Sequence, residues 1–158
     1  MLDRFAVLAS TGSANLFRAG GHGPAASRAI VALGIRTVYR LCENGLPGVA
    51  GASSILIRRA LIDPVQPDPD RVRQIVHVLR GDLLQGQTVL ICDATGRDRV
   101  SLIAGAWRIL QDRWSLAEAV QEWHDFGAEF LPAESFNGIR ECLIDIAEGI
   151  DERGDARD

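Results

Sequence analysis

The spacing of apolar residues changes along the chain from short strand-like runs to helical stripes. In the first part, strand-like runs alternate with amphipathic segments, the order expected of a mostly parallel sheet covered by helices. The run over 88–92 lacks any polar alternation and predicts a central strand buried on both faces. The predicted elements of this part are strands over 15–18, 35–41, 53–61 and 88–92, a helix over 24–33, and a helix that begins at Pro69 and ends at Gly81.

Beyond residue 99 the apolar spacing is helical throughout. Ser115 and Glu118 form a capping box at the start of the second of three predicted helices. The stripes are Val100, Ile103, Trp107 and Leu110; Leu116, Val120 and Trp123; and Phe136, Ile139, Leu143 and Ile146. We predict an α/β fold, a small mostly parallel sheet flanked by helices with a helical C-terminal half. It forms a single domain over residues 1–148, followed by a charged flexible tail over 149–158.

Composition narrows the class of partner. The chain has 158 residues, of which 47% are hydrophobic, which suits one domain. It has 17 basic and 21 acidic residues and a net charge of −4, so we expect no nucleic acid partner. All the basic residues are arginine. Arginine and backbone amides must therefore hold any bound anion, and lysine Schiff-base chemistry is excluded.

Other sequence features point to a cytoplasmic protein without bound groups. No apolar run reaches the roughly 18 residues needed to cross a bilayer, and the N-terminal residues lack a signal-peptide pattern. We expect no membrane association. Cys42, Cys92 and Cys142 are too widely spaced for a paired metal site or a disulfide framework. We expect no metal and no cofactor, and the sequence leaves the oligomeric state open.

The clearest chemical signal follows the predicted central strand. There the chain reads Cys92-Asp93-Ala94-Thr95-Gly96-Arg97-Asp98-Arg99 before a helical stripe begins. Such a loop can cradle an anion, because amide N–H groups and the helix dipole point at it and an arginine can donate to two oxygens. The alternative interpretation is an ordinary tight turn between a strand and a helix.

This loop resembles the signature of the cysteine-dependent tyrosine and dual-specificity phosphatases, which is His-Cys-x5-Arg followed by Ser or Thr. The run 96–99, Gly-Arg-Asp-Arg, is similar to the Gly-Lys-Asp-Arg ending of many members. Phe17-Arg18, the segment 34–38 and Trp114-Ser115 look like outlying landmarks, so the resemblance covers most of the chain. It implies a phosphatase-like fold, a phosphate-binding loop over 92–99 and hydrolase chemistry that uses a thiolate, an arginine and a general acid.

Carried over residue by residue, the resemblance places Asp93 at the nucleophile position, Arg99 at the phosphoryl-binding arginine and Asp63 at the general acid. Asp68 and Asp70 compete with Asp63, although both also suit the first turn of a helix. Cys92 stands where the family has His, and the hydroxyl after the arginine is also absent. The phosphate-binding residues implied are Ala94, Thr95, Gly96, Arg97, Asp98 and Arg99.

The missing thiol predicts a pseudophosphatase, catalytically inactive or strongly impaired. In this hypothesis the Asp93 carboxylate lies in the cradle as an internal anion, accepts loop amides and pairs with Arg99. A phosphorylated protein or a small phosphoester would be its partner. One alternative is an active tyrosine or small-phosphoester phosphatase whose own residue 93 is the nucleophilic cysteine, with Asp93 as an introduced substitution. Another is a rhodanese-type sulfurtransferase that uses Cys92, with four residues between it and Arg97.

Overall fold

The structure is a computed structural model that describes residues 2–21, 24–43 and 55–152. Its strands are β1 (Leu2–Thr11), β2 (Ala14–Gly21), β3 (Thr37–Arg40), β4 (Leu56–Arg59) and β5 (Val89–Asp93). Its α-helices are α1 (Pro24–Ala32), α2 (Pro69–Leu84), α3 (Arg99–Leu110), α4 (Leu116–Asp125) and α5 (Ala133–Glu152). A short 3-10 helix over Ala128–Phe130 joins α4 to α5.

The strands form one sheet in the order β1-β2-β5-β3-β4. β1 pairs with β2 in the antiparallel sense, whereas the β2–β5, β5–β3 and β3–β4 pairs are parallel. β5 lies at the centre and is buried along its whole length, as its apolar sequence predicts. The predicted α/β architecture with a mostly parallel sheet and a helical second half is confirmed.

β5 separates two hydrophobic clusters. Val89 and Ile91 belong to the larger cluster, which also includes residues of α2, α3 and α5. Leu90 and Cys92 belong to the smaller cluster on the side of α1. Because side chains alternate along a strand, Asp93 continues the face of Val89 and Ile91, toward α3, and Cys92 points the other way.

Local capping residues fix the starts of two helices as predicted. Asp68 is the N-cap of α2, and its carboxylate accepts the backbone N–H of Asp70 at 3.0 Å, with Pro69 in the first turn. Ser115 caps α4 through a complete capping box with Glu118. Hydrogen bonds to Ser115 lower the pKa of the Glu118 carboxyl.

The N-terminal strand β1 was not predicted, and β2 is longer than the predicted strand over 15–18. The pairing of β1 with β2 shifts register between Asp3 and Ala6 and again between Val7 and Ala9. Such irregularities interrupt the alternation of side chains that identifies a strand in sequence. The apolar and polar pattern of this segment therefore gave no strand signal.

Other boundaries also differ from the prediction, most of all those of α2 and β4. α2 continues past Gly81 to Leu84, because the left-handed residue that ends it is Gly86, at φ +77°. The backbone N–H of Gly86 donates to the carbonyl of Leu83 at 2.9 Å, which closes the helix end. β4 is shorter than the predicted strand over 53–61, of which residues 53–54 lie outside the described residues.

The last helix passes the predicted end of the domain. α5 continues to Glu152, four residues beyond the boundary expected at residue 148. The rest of the predicted tail, residues 153–158, lies outside the described residues. None of the helices in the described ranges is both long enough and apolar enough to cross a bilayer.

Candidate functional site

The loop between β5 and α3, residues 94–98, follows the carboxyl end of the central strand, where open α/β sheets place their ligand sites. Its path requires glycine at position 96, which has φ +72°. A Cβ atom on Gly96 would lie 2.6 Å from the backbone nitrogen of Gly20 at the end of β2. The loop therefore packs against β2 backbone to backbone.

The Asp93 carboxylate lies at the base of this loop and is 0% exposed. Its Oδ1 accepts hydrogen bonds from the backbone N–H of Thr95, at 2.9 Å, and of Gly96. Its Oδ2 accepts the backbone N–H of Val100, in the first turn of α3, at 3.1 Å. Three backbone donors of the loop and the helix start thus bind an anion that the chain itself supplies.

The buried position changes the titration of Asp93. Burial and the neighbouring Asp98 carboxyl group raise the pKa of Asp93 to about 6, against the lowering effect of the amides of Gly96 and Val100. The carboxyl group is therefore mostly ionised at neutral pH. It takes up a proton in mildly acidic solution.

Arg99 is held by Asp98. Its Nη1 lies 3.1 Å from Asp98 Oδ2, and its Nε donates to the carbonyl oxygen of Ile62 at 2.8 Å. Asp98 Oδ1 also accepts the backbone N–H of Arg99, as the N-cap of α3. The predicted ion pair between Arg99 and Asp93 is wrong, because backbone amides occupy the Asp93 oxygens and Asp98 is the nearer carboxylate.

Asp63, at the predicted general-acid position, lies beside the residue that anchors Arg99. The contact from Arg99 to the Ile62 carbonyl brings the segment after β4 up to the loop. The Asp63 side chain is exposed, and its Oδ1 accepts the backbone N–H of Val65 at 2.9 Å. The structure thus brings Asp63 and Arg99 into the same region of the surface.

The two competing aspartates serve α2. Asp68 caps the helix, and Asp70 accepts a hydrogen bond from Arg73 Nη1 at 2.8 Å within the first turn. Across the ranges that the structure describes, no group of three or more His, Cys, Asp or Glu side chains is arranged to hold a metal ion.

Cys92 lies on the far face of the sheet from the loop. It is 1% exposed, and its Sγ lies 3.6 Å from the carbonyl oxygen of Tyr39, to which it donates. Burial, followed by the adjacent Asp93 carboxylate, raises the pKa of the thiol far above its usual range. This environment disfavours Cys92 as the nucleophile of a sulfurtransferase.

The outer side of the loop carries a second guanidinium group. Arg97 lies over the ring of Phe130, with its Cζ 5.3 Å from the ring centroid. The backbone N–H of Arg97 donates to Thr95 Oγ1 at 3.4 Å. Ala94 is half-buried and contributes only backbone groups.

Arg18 of β2 contacts the loop at its buried side. The sequence analysis missed this role because it treated Arg18 only as a landmark of the family. Arg18 is 1% exposed, its Nη2 donates to Ser101 Oγ at 2.7 Å and lies 3.5 Å from the Gly96 carbonyl oxygen. Its guanidinium group stacks on Phe126, with Cζ 3.7 Å from the ring centroid. The signal was an arginine inside an apolar strand, but its partners lie 78 and 83 residues along the chain.

The architecture of the chain is similar to that of several solved structures. No protein-family model and no curated protein sequence matches the chain. Among solved structures, P. aeruginosa TpbA in complex with phosphotyrosine superposes with a TM-score of 0.71 at 18% identity, over 86% of this chain and 85% of that one. Human DUSP28 gives a TM-score of 0.69 at 18% identity, over 98% and 100% of the two chains. Tk-PTP in its active form gives 0.70 at 20% identity, over 89% and 95%. The chain therefore has the α/β fold of the tyrosine and dual-specificity phosphatases.

Proposed function

We propose that this protein is a phosphatase-fold protein without effective phosphatase chemistry, in which the Asp93 carboxylate occupies the anion-binding loop. The observation that carries this proposal is the set of hydrogen bonds to Asp93 from the amides of Thr95, Gly96 and Val100. Residue 93 stands where the resembling family has its nucleophilic thiol. The Asp93 carboxylate therefore occupies the backbone donors that would otherwise bind an external anion.

A phosphate group that entered the loop would meet an unfavourable site. At about 4 Å from the Asp93 carboxylate, each unit of negative charge would cost roughly 4 kcal/mol at an effective dielectric constant near 20. The amide donors that would repay this cost already bind Asp93. An external anion must therefore displace this carboxylate or bind weakly.

Asp93 is also poorly placed to act as a nucleophile itself. Both of its oxygens accept backbone hydrogen bonds, and an attack on phosphorus would have to break at least one of them. Arg99, which would have to orient the phosphoryl group, is held by Asp98 and the Ile62 carbonyl. These contacts support a rigid loop that binds rather than reacts.

The expected partner is a phosphorylated protein or a small phosphoester. TpbA, whose fold is similar, was crystallised with phosphotyrosine, and the rim of the loop here carries the guanidinium group of Arg97. Arginine matches phosphate oxygens through paired hydrogen bonds. Binding at the rim would leave Asp93 in place.

One alternative has support from a separate observation. Arg99 keeps the family spacing from residue 93, and its Nε donates to the carbonyl of Ile62, the residue before Asp63 in the chain. This arrangement would suit an active tyrosine or small-phosphoester phosphatase whose own residue 93 is the catalytic cysteine, with Asp93 introduced in its place. Under that alternative, restoring a thiol at position 93 restores the reaction.

Turnover measurements separate these possibilities. Hydrolysis of an aryl phosphate and a phosphotyrosine peptide would be followed for the unaltered protein, for Asp93→Cys and for Asp93→Asn as a matched control without a thiol, with folding checked by circular dichroism. We expect no turnover by the unaltered protein or by Asp93→Asn, and little by Asp93→Cys, because the neighbouring His and hydroxyl positions also differ. Turnover by the unaltered protein would refute the proposal, and strong turnover by Asp93→Cys alone would establish the alternative.

A further inference from the structure

A cavity of about 300 Å³ that is open to solvent lies between β4 and α2, away from the loop over 94–98. Its walls include Tyr39, Arg58, Arg59, Arg71, Gln74 and Val78, and none of residues 92–99 lines it. The adjacent residues Arg58 and Arg59 of β4 thus line the same cavity as Arg71 of α2.

Arg58 and Arg59 are held to different degrees. Arg58 lies 3.4 Å from the buried Asp82 carboxylate, which also accepts the Tyr39 hydroxyl at 2.7 Å. Arg59 pairs with Glu43 at the surface, where both side chains are more than half exposed and solvent weakens the attraction. Arg58 is therefore a fixed positive charge in the wall, and Arg59 can exchange Glu43 for another anion.

Arg71 adds a cation that carries no ion pair among the described residues. Its Nη1 donates to Gln74 Oε1 at 3.2 Å, one turn further along α2. No acidic residue among those that the structure describes lines the cavity, whereas Ala60, Ile75 and Val78 contribute apolar surface to it. The lining of the cavity thus combines three arginines with apolar side chains.

We propose that this cavity binds a small phosphate monoester with an apolar or aromatic body. Arg59 and Arg71 would hold the phosphate, because guanidinium forks match its oxygens, and Ile75 and Val78 would contact the apolar body. The volume lies at the lower end of the roughly 300–1,000 Å³ typical of small-molecule sites. This site is separate from the loop and does not depend on whether Asp93 excludes anions.

Isothermal titration calorimetry at low ionic strength tests the site. The two probes are inorganic phosphate and benzylphosphonate, which has no P–O ester bond that could be hydrolysed. We expect saturable binding of benzylphosphonate that is tighter than that of inorganic phosphate. Arg71→Gln should weaken it about tenfold through the loss of a charge-assisted contact. Glu43→Gln should tighten it, because Arg59 is then free to bind the ligand.

Arg80→Gln is the matched control, since Arg80 is an exposed arginine of the same helix that does not line the cavity. Arg71 and Glu43 are exposed as well, so the fold should survive their substitution, and thermal melts would verify this. Absence of saturable binding would overturn the proposal, as would equal affinities for the two probes. If Arg71→Gln leaves the affinity for benzylphosphonate unchanged and Asp93→Asn increases it, the ligand binds in the loop instead, which would also overturn the proposal.

Discussion

Asp93 shows how one buried carboxylate can organise a loop. An ionised carboxylate loses much of its hydration on burial, and the backbone amides of Thr95, Gly96 and Val100 replace only part of it. The pKa of about 6 records this balance, since burial outweighs the amides. The protein therefore keeps a partly compensated negative charge in its interior at neutral pH.

This balance predicts how stability depends on pH. Because the pKa of Asp93 is higher in the folded than in the unfolded protein, the folded state binds more protons between about pH 4 and 6. The contribution of Asp93 to the free energy of unfolding is therefore full below about pH 4 and falls as pH rises through 6, by on the order of 3 kcal/mol.

Urea unfolding of the unaltered protein and of Asp93→Asn at several pH values measures this effect. We expect the difference between the two free energies of unfolding to change in favour of Asp93→Asn from pH 4.5 to pH 7.5, because the amide side chain does not ionise. Titrating groups that do not interact with Asp93 affect both proteins equally and cancel. A difference that is constant with pH would show that Asp93 titrates normally in the folded protein.

At the scale of the element, the loop is shaped by its close approach to β2. Gly96 combines a left-handed φ of +72° with backbone contact to Gly20, and Gly20 itself has no room for a Cβ atom beside Thr95. Arg18 reaches the loop from the same strand and binds the Gly96 carbonyl. The strand neighbouring β5 thus determines the path of the loop that follows β5.

Two glycine substitutions separate backbone conformation from crowding. Gly86 has a similar φ of +77°, but a Cβ atom there would meet nothing within 4 Å. We expect Gly86→Ala to cost about 1–2 kcal/mol of unfolding free energy through conformation alone. Gly96→Ala should cost about 3 kcal/mol or more, because it adds a clash with the backbone of Gly20.

Chemical denaturation of both variants beside the unaltered protein gives the comparison. Equal losses of stability would mean that the loop moves away from β2 without cost. In that case the tight packing would not account for the position of the Asp93 amide donors.

At the scale of the whole molecule, Arg108 of α3 connects the edge of the sheet to the helical half. Its Nη1 donates to the carbonyl of Leu8 in β1 at 2.9 Å, and its Nη2 lies 2.8 Å from Glu122 of α4. It also pairs with Asp112 at 2.7 Å and stacks on Trp114, with Cζ 4.5 Å from the ring centroid. One side chain therefore links β1 to the consecutive helices α3 and α4.

We expect Arg108→Gln to lower the free energy of unfolding by about 2–3 kcal/mol, because it leaves partly buried acceptors without a charged donor. Combined with Glu122→Gln, the loss should be smaller than the sum of the two single losses, since both substitutions remove the same ion pair. Arg140→Gln, at an exposed position of α5, is the control and should change stability by less than about 0.5 kcal/mol. Strict additivity would show that Arg108 and Glu122 do not cooperate.

Local patterns in the sequence determined much of this protein. The unbroken apolar run 89–92 specified a central strand because both faces of such a strand are covered, and the caps at Asp68 and Ser115 specified helix starts through contacts three residues away or fewer. The loop at 94–98 and Asp93 at its base could also be predicted from the sequence. The amide donors of Thr95, Gly96 and Val100 lie within seven residues of Asp93.

Tertiary structure decided what depends on distant partners. Arg99 meets Ile62, Arg18 meets Ser101, and Arg71 joins Arg58 and Arg59 only because the folded sheet and helices bring them together. The spacing of residues in sequence carries no information on such contacts, since each is set by the packing of elements separated by loops. The sequence by itself determined the elements and the loop, and the three-dimensional packing decided which charges face one another.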